Sequence, residues 1–133
     1  MILVLQLELT PCVLQVALLF SDSCTITLTS FISPYRSDRA TARELHVSRS
    51  IPFIEIYVHV PLSVAESRDP KGLYAKARKG EIKDFTGVSA PYEEPENAEV
   101  VIKSGETGVE EAVVQIVRVL EEKGLLPRKD SAQ

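Results

Sequence analysis

Positively charged side chains are concentrated in one short stretch, residues 69–87, which reads DPKGLYAKARKGEIKDFTG. Five cations fall within thirteen positions of a chain whose formal net charge is −4; they are Lys71, Lys76, Arg78, Lys79 and Lys83. Such a cluster suits phosphoryl transfer, because charge on the phosphate oxygens must be neutralised and water excluded during the reaction. The alternative is a lysine-rich surface helix, AKARKG, whose charges only keep it solvated.

Length and composition describe an ordered globular protein. The chain has 133 residues, of which 44% are hydrophobic and 26% charged. We expect a single domain over residues 1–133 with a loose tail at 128–133, because this length suffices for one core but not for two. Nucleic-acid binders carry a basic face that shows in the total charge, so the net charge of −4 argues against that class.

Neither a metal site nor membrane insertion is expected. The two cysteines, Cys12 and Cys24, match no zinc spacing and only two histidines accompany them, so buried free thiols are the better interpretation. The apolar N-terminal run has no Lys or Arg at its start and is interrupted by Glu8 and Pro11. It fits neither a signal peptide nor a membrane span, and we expect a cytoplasmic protein.

The N-terminal third alternates predicted strands and helices. Residues 2–9 are a short apolar run typical of a buried strand, and residues 13–20 suit a short apolar helix. Residues 25–32, TITLTSFI, are rich in β-branched side chains. They predict a second strand.

The middle of the chain continues the alternation. Ser33 and Pro34 offer a cap hydroxyl and a first-turn proline for a helix that runs to about Val47. Residues 53–60 are almost continuously apolar, as expected of a strand covered on both faces. A short helix is predicted over residues 61–68.

The C-terminal part predicts one more strand and one long helix. Residues 99–103 read as a strand, and Thr107 with Glu110 forms a capping box for an amphipathic helix. Gly124 and Pro127 end that helix.

Strands that alternate with helices predict an α/β fold with a parallel sheet. In such sheets ligands bind beyond the carboxyl ends of the strands, where the following helices present free N–H groups. We expect Ser33 and the loops at 60–63 and 104–107 at that edge. Residues 69–87 leave the short helix there, so we predict that they form a lid over the site.

Two long motifs resemble the adenylyl-sulfate kinase family. They are SFISPYRSDR at residues 30–39 and the stretch from FIEIYVHVPLSVAESRDPKGLY to VVIKS at 53–104. The likeness begins near Val16 and continues to about Leu126. It implies a three-layer P-loop kinase fold and phosphoryl transfer from ATP with Mg²⁺ to the 3′-hydroxyl of adenosine 5′-phosphosulfate, in sulfate assimilation.

The resemblance also implies binding residues for adenosine 5′-phosphosulfate. Ile32 and Ser33 match the loop that contacts this substrate through its backbone, and Lys71 matches a lid lysine beside it. Phe85 matches the aromatic residue that stacks on the adenine, with Asp84 as its neighbour. Without the resemblance, Phe85 would more often be a loop anchor packed on the core.

For ATP, the resemblance implies contacts near the base and phosphates. Arg68 and Thr107 match positions beside the nucleotide base. The remaining lid charges close over phosphates; they are Lys76, Arg78, Lys79 and Lys83. No catalytic residue and no metal ligand of the protein is assigned.

The N-terminus departs from the family. The family carries a glycine-rich phosphate loop ending in Gly-Lys-Ser/Thr, but residues 1–12 contain no glycine and no lysine. Its acidic residue near the attacking hydroxyl and its first aromatic also have no counterpart, and His59 stands where the family usually carries aspartate. We therefore expect residues 1–15 to be divergent and the chain alone to have weak or no kinase activity.

Three further expectations follow. Residues 2–9 would fill the slot between the strands at 25–32 and 53–60, giving a sheet of about four strands. The partners implied are the two nucleotides, with a homodimer or pairing with a full-length kinase. The second functional reading is a non-catalytic nucleotide-binding or regulatory partner of a complete kinase subunit, whereas an RNA-binding role is disfavoured by the net acidity.

Overall fold

The computed structural model describes residues 10–127, which form five helices and two strands. In chain order they are α1 (Thr10–Asp22), α2 (Arg36–Val47), β1 (Ile56–His59), α3 (Leu62–Arg68), α4 (Leu73–Arg78), β2 (Val100–Lys103) and α5 (Val109–Glu122). Four of the helices lie where the sequence predicts one, and both strands fall within predicted strands. The fifth helix, α4, falls within the segment predicted as a lid, for which a surface helix was the alternative. Within residues 10–127, no helix has the length and apolar character needed to cross a membrane.

The two strands pair in parallel, with Ile56 opposite Val100 and His59 opposite Lys103. The predicted α/β class with a parallel sheet is thereby confirmed. The Glu55 and His59 carbonyls accept bonds from amides of the β2 segment, at 3.2 and 2.9 Å. Alternation along a parallel strand directs the main-chain groups of the even-numbered residues of β1 away from β2.

The expected strand at residues 25–32 is wrong, since this segment belongs to no sheet. Its apolar side chains Ile26, Leu28 and Ile32 are exposed. A strand needs a neighbouring strand, and the sheet described within residues 10–127 consists of β1 and β2. The other strand expected for a four-stranded sheet, residues 2–9, lies outside the described residues.

Helices cover the sheet on both faces. Consecutive residues of a strand point to opposite sides, and Phe53 and Ile54 accordingly enter different cores. The first core joins Phe53 to α1 and α2 through Leu14, Ala17 and Ala42. The second joins Ile54 to β2 and α5 through Val100, Ile102 and Leu120. The three-layer arrangement follows from these two clusters.

Two predicted helix caps are wrong. α2 begins at Arg36 after Tyr35, because Ser33 has a positive φ of 44° and cannot hold the extended backbone of an N-cap. α5 begins at Val109 after Gly108, and no side chain caps it. The Thr107 amide instead bonds the Lys103 carbonyl at 2.9 Å in the turn that ends β2.

The expectation of buried thiols is wrong for Cys24. This residue is exposed and has a φ of 61° in the turn that follows α1. Its amide bonds the Ser21 carbonyl at 3.1 Å, so the backbone is used to end the helix and the side chain points outward. The side chain of Cys12 lies outside what the structure describes.

Candidate functional site

A cleft of about 910 Å³ runs along β1, between the segment at 31–33 and the loop that follows α4. Its walls come from residues 31–33, 53–62, 82–87 and 90–95. Five predicted site residues line it: Ile32, Ser33, Lys83, Asp84 and Phe85. The cleft therefore joins residues about fifty positions apart in the chain.

Two non-glycine residues of the cleft have left-handed backbones. Ser33 has a φ of 44° and Asp84 a φ of 53°. Such conformations cost about 1–3 kcal/mol each, persist only where the surroundings hold them, and cluster at binding sites. Ser33 is buried at 3% exposure, and its Oγ has no hydrogen-bond partner in the described protein. Ile32 beside it is exposed at 52%.

Phe85 is half-buried at the cleft, so it is neither sealed in the interior nor fully solvated. Its amide donates to Ser89 Oγ at 2.9 Å, and its ring meets that of Tyr74 edge-on, with centroids 5.0 Å apart. Because Tyr74 belongs to α4, the predicted lid helix contacts the aromatic residue that lines the cleft.

Three more rings lie on the β1 side of the cleft. Tyr57 stacks on Tyr92 with centroids 6.0 Å apart, and Tyr57 Oη lies 2.9 Å from Nδ1 of His59. Burial, followed by interaction with Glu94, raises the pKa of Tyr57 to about 12, and burial also raises the pKa of Tyr92. Both phenols are therefore neutral donors at physiological pH.

A group of two arginines and two glutamates connects α2 to the sheet. Arg39 Nε lies 2.8 Å from Glu55 Oε1, and Arg43 binds Glu99 through both terminal nitrogens, at 2.6 and 2.9 Å. Burial raises the pKa of Glu99, but hydrogen bonds from Arg43 and the Glu55 amide outweigh it and leave that pKa below its ordinary value. The hydrogen bond with Glu99 raises the pKa of Arg43.

The other six predicted site residues do not line the cleft. Arg68 donates to the Ser104 carbonyl at 3.1 Å, which places it beside the turn that contains Thr107. Arg78 pairs with Glu66 of α3 at 2.6 Å. The remaining three are exposed on the segment around α4; they are Lys71, Lys76 and Lys79.

The described residues offer no cage for a metal ion. Among residues 10–127, no group of three or more His, Cys, Asp or Glu side chains could hold one. Glu55, one of the three carboxylates that line the cleft, is already engaged by Arg39 and Arg43.

Sequence reasoning missed Arg39, Tyr74 and Tyr92 as cleft residues. A signal for Arg39 was present, because Glu55 interrupts an otherwise apolar strand and a buried carboxylate needs a cation. Arg39 and Arg43 stand one helical turn apart, as a shared partner requires. No comparable signal identified the two tyrosines.

Comparison with known proteins gives one consistent result. The family model for adenylylsulphate kinase matches residues 8–103. The adenylyl-sulfate kinase of Penicillium chrysogenum is 58% identical over 121 residues, covering 86% of this chain and 57% of the relative. That of Saccharomyces cerevisiae is 58% identical over 106 residues, covering 80% of this chain and 52% of the relative. The chain thus spans little more than half the length of these curated relatives.

A solved structure agrees with the sequence matches. The APS kinase of Mycobacterium tuberculosis, in complex with AMPPNP and APS, superposes with a TM-score of 0.69 at 34% identity. The match covers 88% of this chain and 70% of that chain.

Proposed function

The chain belongs to the adenylyl-sulfate kinase family, and from that premise we propose that its cleft binds adenosine 5′-phosphosulfate. One observation carries the proposal. Four of the five residues matched to that substrate, Ile32, Ser33, Asp84 and Phe85, line one cleft although they come from distant parts of the chain. The fifth, Lys71, lies on the exposed segment before α4 and would reach the substrate as the lid closes.

In this proposal the adenine stacks on Phe85, and the backbone at Ser33 receives the polar groups of the nucleotide. Stacking of a base on an aromatic side chain contributes about 1–3 kcal/mol. Lys83 supplies positive charge within the cleft for the phosphosulfate. The neutral phenol of Tyr57 lies on the β1 side of the cleft, where its hydroxyl is engaged with Nδ1 of His59 at 2.9 Å.

The second nucleotide is ATP, which brings Mg²⁺ as part of the co-substrate. Arg68 and the turn at Thr107 lie together at the ends of the strands, where a guanidinium would stack on the base. The lid cations would neutralise its phosphates; they are Lys76, Arg78 and Lys79. Activity of the chain alone would be weak, because the loss of one comparable donor costs about a hundredfold in rate.

A non-catalytic role as the nucleotide-binding partner of a complete kinase subunit is the second candidate. An exposed apolar stripe on α1, formed by Val16, Leu19 and Phe20, favours it, and so do the exposed Ile26 and Leu28 nearby in sequence. Apolar side chains grouped in this way mark surfaces that bind another protein. Stoichiometric co-purification with a full-length kinase of this family would support this role.

Calorimetric titration with adenosine 5′-phosphosulfate tests the first proposal. We expect saturable binding that Phe85→Ala weakens about tenfold or more, and that Phe85→Tyr, which keeps a ring, largely retains. A coupled assay on the same protein should detect at most trace formation of the 3′-phosphorylated product. Absence of binding to the folded protein would overturn the nucleotide site, and rapid turnover would overturn the expected weakness.

A further inference from the structure

We propose that Arg39 is the positioning residue of this cleft, because its one guanidinium joins two segments of the cleft that come from distant parts of the chain. Its Nη1 donates to the Ser33 carbonyl at 2.5 Å, and its Nη2 donates to the Glu93 carbonyl at 2.6 Å. Ser33 belongs to the wall that precedes α2. Glu93 lies between Tyr92 and Glu94, which line the cleft in the wall at residues 90–95.

Two further contacts fix the guanidinium itself. Its Nε lies 2.8 Å from Glu55 Oε1 at the base of β1, and its plane lies over the ring of Tyr92 with 5.8 Å between Cζ and the ring centroid. The residue is only 7% exposed, so water does not compete for these donors. A side chain held from three sides in this way is a rigid spacer.

The backbone at Ser33 explains why such a spacer is needed. Its positive φ is unfavourable for a residue with a Cβ, and its hydroxyl makes no hydrogen bond in the described protein that would hold it. The carbonyl bond to Arg39 and the bond from the Glu93 amide to the Pro34 carbonyl, 2.8 Å long, are the contacts that fix this turn. The first bond joins the turn to α2, and the second joins it to the segment at Glu93.

Lysine cannot take this role. Its ammonium is a compact point charge, whereas the planar fork of arginine places separate N–H groups on several acceptors at once. Arg39→Lys therefore keeps the charge beside Glu55 but cannot bridge Ser33 and Glu93 while also contacting Glu55. Arg43→Lys is the matched control, because Arg43 lies on the same helix and shares Glu55, yet none of its hydrogen bonds or ion pairs joins it to either wall.

Residue-resolved hydrogen exchange tests the proposal independently of any ligand. In Arg39→Lys we expect exchange at the Glu93 amide and neighbouring amides of both walls to rise about tenfold or more, with α5 unchanged, since a hydrogen bond to a charged group is lost. Arg43→Lys should leave the walls protected. Equal effects of the two variants, or no effect of Arg39→Lys, would overturn the proposal.

A second arm rests on the proposed function. Titration with adenosine 5′-phosphosulfate should show about tenfold weaker binding for Arg39→Lys and unchanged binding for Arg43→Lys. If the unmodified protein fails to bind this nucleotide, the proposed function fails while the exchange result still decides the role of Arg39. Unchanged nucleotide affinity in Arg39→Lys, with binding by the unmodified protein, would contradict the role in ligand positioning.

Discussion

Tyr74 on α4 braces Phe85 at the cleft, with ring centroids 5.0 Å apart and ring planes at 73°. Edge-to-face pairs of this kind contribute about 0.5–1.5 kcal/mol beyond the area they bury. The contact connects α4, which carries the predicted lid cations Lys76 and Arg78, to the residue proposed to stack on adenine. A change in the position of α4 would therefore alter the position of the Phe85 ring.

The first prediction concerns this ring pair. Tyr74→Ala should weaken binding of adenosine 5′-phosphosulfate by about three- to tenfold, because Phe85 loses the ring that orients it. Tyr74→Phe keeps the ring and should bind as the unmodified protein does. Calorimetric titration measures both, and equal weakening in the two variants would assign the effect to the hydroxyl instead.

The second prediction concerns the pair between Arg78 and Glu66, which connects α4 to α3. Both side chains are partly exposed, so the pair contributes no more than about 1 kcal/mol to folding stability. Glu66→Gln should barely change the free energy of unfolding, yet amide exchange over Leu73–Arg78 should rise a few-fold because α4 loses its attachment.

Glu81→Gln is the control for that experiment. The Glu81 carboxylate is exposed and lies shortly after the end of α4. Its replacement by glutamine changes the local charge by the same amount as Glu66→Gln. If it accelerated exchange in α4 as much as Glu66→Gln, the loss of charge rather than the loss of the pair would be responsible.

The third prediction is a pH dependence carried by Glu99. Its pKa lies below the ordinary value in the folded protein, so the folded state binds fewer protons than the unfolded state. The stability that it contributes is complete above pH 4.5, the ordinary value, and is lost as the pH falls through the lower folded pKa. The free energy of unfolding should therefore fall progressively as the pH is lowered below 4.5.

Urea unfolding from pH 7 to pH 3 measures this effect. Glu99→Gln should be less stable by about 1–3 kcal/mol at pH 7, because the two bonds from Arg43 lose their charged acceptor. Its stability should also fall less than that of the unmodified protein on acidification. Parallel pH profiles for the two proteins would show that the acid sensitivity lies elsewhere.

The fourth prediction concerns the exposed apolar surface. Leu28 is 73% exposed, so Leu28→Lys should change the free energy of unfolding by no more than about 0.5 kcal/mol. Self-association and binding of an apolar dye should both fall, because an exposed apolar side chain is replaced by a charged one. Light scattering and dye fluorescence measure these changes.

Leu120→Ala gives the contrasting case. This side chain is 5% exposed in the core beneath α5, and its truncation should cost about 2–5 kcal/mol. A comparable loss for Leu28→Lys would mean that residues 25–32 are covered in solution.

The sequence predicted those elements whose signals are local. Apolar runs and helix stops placed β1, β2 and four of the helices, whereas α4 was foreseen only as the alternative to a lid. Gly124, with a φ of 69°, ends α5 where expected. The failures depended on partners distant in the chain. Residues 25–32 have every local feature of a strand, but a strand forms only beside another strand, and local composition cannot report that neighbour.

The candidate site was predictable in a similarly uneven way. Ile32, Ser33, Asp84 and Phe85 could be assigned by resemblance, and the structure places them in one cleft. The bonds of Arg39 to the carbonyls of Ser33 and Glu93 could not be predicted, because any residue type would supply those carbonyls. Only its pairing with the buried Glu55 had a signal in the sequence. A hydrogen bond to a main-chain carbonyl does not require a particular residue type at the accepting position, so the sequence does not reveal it.

The alternation of main-chain groups along β1 has a consequence for how this pocket tolerates change. Ile56 and Val58 line the cleft, and the strand geometry turns their peptide groups away from β2. Replacing their side chains alters the shape and hydrophobicity of the cleft at these positions. Every residue except proline, however, supplies the same main-chain N–H donor and C=O acceptor. The hydrogen-bond donors and acceptors that the main chain offers at these two positions therefore do not depend on the residue type. Substitutions other than proline leave them in place.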